Sequence, residues 1–119
     1  MSLISNQVYD EIRKIFPLNT IKKEHYVKFK GTKLFFDFFM KDLNVLIEVQ
    51  GEQHSRFVRH FHNTRKGYLK SKYRDNLKIE YAQENGIALV RIYHDEKINK
   101  DLMMNKIYNA LSSKNGLCD

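Results

Sequence analysis

Cysteine occurs once in this 119-residue chain, at Cys118. That excludes an internal disulfide and any cysteine-built zinc cage, and it fits a reducing compartment. No histidine pair has the His-x-x-x-His helical spacing of a common zinc site: His60 and His62 flank Phe61, while His25 and His94 stand apart. No apolar run approaches the ~18 residues of a membrane span, and no secretory signal pattern appears. The expectation is a soluble, cytoplasmic chain with no membrane partner. Acidic residues are scarce, 14 Asp and Glu against 21 Lys and Arg, and no low-complexity tail carries the resulting charge of +7. A balance of this kind favours a polyanionic partner.

Apolar residues make up 42% of the chain and aromatics 13%, enough for one packed domain over residues 1–119. Ile4, Val8, Ile12, Ile15 and Phe16 recur at helical spacing until Pro17 interrupts them, which predicts a helix over 5–16. Val27 and Phe29 alternate with Lys28 and Lys30, so 25–30 reads as a strand turning through Gly31. Two apolar runs, 34–40 and 45–50, continue it into a three-stranded meander. A helix is expected over 68–85, capped by Asn85-Gly86, then a buried strand over 87–93. A closing helix over 96–112 rests on Ile98, Leu102, Ile107 and Leu111, with a frayed tail over 112–119. The order α-β-β-β-α-β-α, with a helix between the last two strands, implies an α/β (α+β) fold with a mixed central sheet of about four strands flanked by helices.

The most informative stretch is LFFDFFMKDLNVLIEVQGEQH, from Leu34 to His54. A hairpin loop symmetric about residues 42 and 43 places Asp37 opposite Glu48, with opposed Cβ atoms about 4.5–5.5 Å apart. Period-two alternation then points Glu48 and Gln50 the same way as Asp37, and sends Val45, Ile47 and Val49 into the other layer. Two carboxylates held close among large hydrophobes repel each other and lose hydration, which a cation would compensate. Mg2+ or Mn2+ suits oxygen donors of this kind: Asp37 and Glu48 as metal ligands, Gln50 adding a carbonyl, and water completing the shell.

These residues resemble the PD-(D/E)xK nuclease superfamily, and within it the small very-short-patch-repair-like and phage homing-type endonucleases. The likeness rests on D-F-x-x-x-x-x-N at Asp37 to Asn44 and on I-E-x-x-G-x-x-H at Ile47 to His54. It extends through Asp75-Asn76-Leu77-Lys78 and Asn85 to Ile92, covering roughly residues 24–93. Two departures stand out: Phe36 rather than Pro precedes Asp37, and Gln50 occupies the position where Lys is most frequent. The resemblance implies a restriction-endonuclease-like core, a bacterial or phage setting, and Mg2+-dependent hydrolysis of DNA. It implies that Asp37, Glu48 and Gln50 form the catalytic metal site, that Asp75 and Lys78 face it, and that Glu11 of the first helix is an accessory acid. His54, on the exit of the second strand, is a candidate to accept a proton or bind phosphate. The alternatives are a non-catalytic DNA-binding module on the same fold and a Holliday-junction resolvase.

Between Ser55 and Lys78 the charge is lopsided. Arg56, Arg59, Arg65, Lys66, Lys70, Lys72, Arg74 and Lys78 face the single acid Asp75, an excess equal to the net charge of the whole chain. Phe57, Phe61, Tyr68 and Tyr73 are interleaved among them. The seven cations from Arg56 to Arg74 are the candidate DNA-binding residues, tracking phosphates while the aromatics pack or stack. Neither a helix-turn-helix nor a zinc finger accompanies them, so recognition of a long site would need a homodimer, a separate DNA-recognition domain or a partner protein.

Overall fold

The computed structural model describes residues 3–50 and 65–114. Helix α1 (Leu3–Ile15) leads into the meander β1 (Ile21–Phe29), β2 (Thr32–Met40) and β3 (Val45–Gln50). Helix α2 (Arg65–Glu84), strand β4 (Ala88–Tyr93) and helix α3 (Lys100–Lys114) follow. The sheet order is β1-β2-β3-β4, antiparallel except for the parallel β3–β4 pair. This is the mixed four-stranded sheet that the chain order implied.

Each connection has a local cause. Residues 41–44 close the β2–β3 hairpin with Asn44 in the left-handed region (φ 58), a conformation asparagine tolerates better than most side chains. Asn44 then ties this turn to the next one, since its Nδ2 donates to the Gly86 carbonyl at 3.0 Å and its carbonyl accepts from Ala88 N–H at 3.1 Å. Helix α2 stops at Gly86 (φ 64). The Ile87 N–H returns to the Ala82 carbonyl and the Gly86 N–H to that of Gln83, a Schellman ending.

Both ends of the closing helix differ from the expectation. The closing helix begins at Lys100 rather than 96, because Asn99 caps it: its Oδ1 accepts the Leu102 N–H at 2.9 Å. Residues 112–114 belong to this helix instead of to a frayed tail. Met103, which the helical pattern passed over, is the fully buried anchor there, while Leu102 is only half-buried.

The sheet separates two apolar clusters. On one face Val45, Ile47, Val90 and Ile92 pack with Val8 and Ile12 of α1 and with Met103 and Ile107 of α3. On the other, Leu34, Phe36 and Leu46 pack with Leu77 of α2, joined by Tyr81 and Leu89. Simple alternation would put Phe36 and Phe38 together, yet they bury in different clusters. The phase changes at Asp37, where the β1–β2 ladder skips the Glu24–Asp37 pair and Glu24 has φ 53. No helix among the described residues is long and apolar enough to cross a membrane.

Candidate active site

The β2–β3 ladder pairs Met40 with Val45, Phe39 with Leu46 and Phe38 with Ile47, the register expected from the symmetric loop. One step further on, Asp37 uses its side chain where the ladder ends: Oδ2 accepts the Val49 N–H at 2.7 Å. The two carboxyl groups, Asp37 and Glu48, lie close enough for Asp37 to push the Glu48 carboxyl up. The alternation in β3 sends Val45 and Ile47 into the α1–α3 core, and leaves Leu46, Glu48 and Gln50 facing α2. In the parallel register Glu48 lies beside Arg91 and Gln50 beside Tyr93. A strip of polar side chains therefore runs along the α2 face of β3 and β4, beyond the apolar Leu46–Leu89 pair.

Helix α2 supplies the opposite wall. Leu77 and Tyr81 pack on Phe36, fixing the helix rotation. That rotation aims Lys78 at the sheet, where its Nζ donates to Glu48 Oε2 and lies 5.5 Å from the Phe36 ring centroid. Asp75, one turn earlier, is also buried, and its backbone carbonyl accepts from Arg91 Nη2 at 3.2 Å. The resemblance placed Asp75 and Lys78 towards the site; Lys78 reaches Glu48, while Asp75 meets Arg91 through its backbone carbonyl.

The electrostatics are set by burial. Glu48 is 6% exposed, and loss of hydration raises its carboxyl from the usual 4.5 to about 7, against the opposing pull of Lys78 and with a smaller push from Asp37. Gln50 is 3% exposed, and its Nε2 has no hydrogen-bond partner among the described residues. An orphaned buried amide costs on the order of 1–3 kcal/mol, so it marks a place where another polar species would be welcome.

Of the other expected residues, Glu11 is not brought to this group. It pairs with Lys14 at 3.5 Å on α1, and α1 packs against the sheet face turned away from Glu48. His54, Arg56 and Arg59 lie outside the described residues. Arg65, Lys66, Lys70, Lys72 and Arg74 all fall on α2, which starts three residues earlier than its pattern suggested. Lys66, Lys70 and Arg74 are exposed. Spaced every fourth residue, they form with Lys78 one slowly turning ridge whose successive members rise about 6 Å along the axis, and the ridge ends at Glu48. Arg91 was not singled out by the sequence reading. Its signal was present, as the single charge in the apolar run IALVRIY.

Among the described residues no group of three or more His, Cys, Asp or Glu side chains is arranged to hold a metal ion. The available donors are two adjacent carboxyls and the amide of Gln50. That set suits a hard divalent ion of the kind held by one or two carboxylates, with water and phosphate oxygens completing the shell. The Lys78 ammonium supplies positive charge to Glu48 at the same place.

Comparison with known proteins adds a viral connection. Over 71 residues the chain is 28% identical to Uncharacterized protein 307L of Invertebrate iridescent virus 6, a match that takes in 60% of this chain and 36% of that protein. Over 69 residues it is 30% identical to Uncharacterized protein 033L of Invertebrate iridescent virus 3, covering 58% and 36% respectively. The chain thus spans little more than a third of the length of these relatives. No family model matches. No solved structure matches.

Proposed function

We propose that this chain is a metal-dependent DNA endonuclease with a restriction-endonuclease-like core of the PD-(D/E)xK type. The observation that carries the reading is the meeting of Asp37 and Glu48, close enough to interact and with Lys78 bonded to Glu48, at the end of a cationic ridge. Paired carboxyls with a buried lysine are the parts that phosphodiester hydrolysis needs, and structural support alone does not call for them.

In this reading Asp37, Glu48 and the Gln50 carbonyl hold Mg2+ or Mn2+. When bound, a divalent ion of this kind lowers the pKa of a coordinated water and neutralises charge on the phosphate. The chain's own groups do the rest. Asp37 is kept in place by the Val49 N–H, which fixes the direction of its free oxygen. Glu48 must be ionised to act as a ligand, and a pKa about 7 makes that step responsive to pH near neutrality. Lys78 is positioned to leave Glu48 for a phosphate oxygen and to stabilise the charge that grows on it. The Gln50 amide can donate to the attacking water or to the phosphate, which would satisfy its orphaned Nε2.

A plasmid assay with and without Mg2+, scored for nicked and linear products, tests the reading. Glu48→Gln and Asp37→Asn should each abolish cleavage while DNA affinity stays equal or tightens, because loss of a carboxylate also relieves repulsion of phosphate. Wild-type cutting by either variant in Mn2+ would sink the assignment. One observation favours a non-catalytic module instead: Lys78 already pairs with Glu48, the partnership a structural role would need. That alternative expects no nicking under any metal, together with normal DNA binding.

A further inference from the structure

The face of the β1–β2 hairpin turned away from α2 carries exposed side chains near the Gly31 turn. On that face Tyr26 pairs with Phe35, and Lys28 with Lys33, in alternate rungs of one ladder. Both aromatics are well exposed, Tyr26 at 44% and Phe35 at 56%, with their ring centroids 5.2 Å apart. Their chain neighbours Val27, Leu34 and Phe36 turn inward to pack beneath α2. Exposure here is therefore the result of strand alternation, and nothing in the core requires two large rings on the outside. A cleft of about 610 Å³ continues from Lys33 and Phe35, past Gly31 and Thr32, to Arg74 and Lys78. Lys78 is the residue that contacts Glu48.

We infer that Tyr26 and Phe35 form a stacking platform for unpaired bases, so that the preferred ligand is DNA with a single-stranded segment beside the site, such as a flap, a gap or an open junction. The occupant follows from charge and shape. Lys28 and Lys33 flank the rings, and Arg74 and Lys78 line the path onward. Aromatic faces set in a cationic groove match a single strand, in which each base has a free face and each phosphate a charge. In an intact duplex the bases are stacked on one another and offer the rings no such face. The inference rests on the nuclease reading only for the cut itself, because the platform is a binding feature.

The test reads binding in a chelator, where no cleavage takes place. Fluorescence anisotropy with a labelled oligothymidine of roughly 12 nucleotides, within the size range of such sites, is compared with a blunt duplex. Tyr26→Ala combined with Phe35→Ala should weaken oligothymidine binding about tenfold or more, at the scale expected for lost base stacking, and leave duplex binding within about twofold. Phe35→Trp should keep the affinity. Because the chain contains no other tryptophan, its emission would report stacking directly, by quenching when oligothymidine is added. Unchanged oligothymidine affinity in the double variant, an equal loss on duplex, or no quenching of the Phe35→Trp protein would overturn the inference. So would a shift of the double variant to a smaller species in sedimentation, which would mean that the rings hold a second copy of the chain. A protein that never cuts DNA yet passes these binding tests would refute the endonuclease and leave the platform standing. One that cuts duplex DNA but fails them would do the reverse.

Discussion

Glu48 concentrates the chemistry into one residue. Its carboxyl keeps a proton up to about pH 7 in the folded protein, whereas the unfolded chain loses that proton near its ordinary value of about 4.5. Between those limits the native state holds one more proton at this group, so its contribution to stability is fully present below about pH 4.5, falls as pH rises, and is lost above about pH 7. A shift of this size corresponds to roughly 3 kcal/mol, at about 1.4 kcal/mol per unit. Urea denaturation at intervals from pH 4.5 to 8 should show that decline in the wild type and a flatter curve in Glu48→Gln, which has nothing to titrate. Mn2+ added at pH 8 should raise the midpoint of the wild type, because the ion binds the ionised carboxylate, and should do little for the variant. Gln50→Ala should reduce nicking without abolishing it if the amide only assists. Full activity would make Gln50 a structural residue.

At the scale of the elements, the site depends on two turns that hold β3, α2 and β4 in position. Gly86 ends α2 in a left-handed conformation, and a Cβ built there meets nothing within 4 Å. The cost of Gly86→Ala is therefore conformational, about 1 kcal/mol, and thermal unfolding should show a modestly lower midpoint with nicking retained. Asn99→Ala removes the cap of α3 and should cost a similar amount, about 1 kcal/mol, on the layer remote from Glu48. Asn44 has a larger part, because its side-chain amide links the β2–β3 turn to Gly86 at the end of α2 and its carbonyl links it to Ala88 at the start of β4. Substitution there loosens the junction that sets β4 beside β3, and with it Arg91 beside Glu48.

For the molecule as a whole, the question is where the positive charge does its work. If the α2 ridge tracks phosphates, DNA binding must release counterions and weaken with salt. Replacing Lys66, Lys70 and Arg74 together with Gln should reduce the slope of log K against log salt by about 2 to 3, at roughly 0.9 per phosphate contact on duplex DNA. All three are exposed, so circular dichroism should report an intact fold. Equal slopes for the two proteins would mean that the ridge is simply a solvated face and that DNA follows another path. A single site in one domain nicks, while paired cleavage needs a second site supplied by symmetry or by a partner.

The sequence by itself determined the element order, the mixed sheet and the β2–β3 register, because strand alternation and a short symmetric loop act within a few residues of each other. From that register came the meeting of Asp37 with Glu48 and the turn of Val45 and Ile47 into the opposite core layer. The exchange of faces at Asp37 was hidden, since it depends on a left-handed Glu24 in a different strand. The tertiary structure alone decided what Lys78 pairs with: local spacing left an intrahelical partner and a site-facing role open, and the packing of Leu77 and Tyr81 on Phe36 rotates the lysine onto Glu48. It likewise brought Arg91 to the carbonyl of Asp75 and left Glu11 on the far layer. The reason is one of range: a strand's faces are set by its own alternation, but the rotation of a helix on a sheet is set by side chains far away in the chain, and it is that rotation which completes the site.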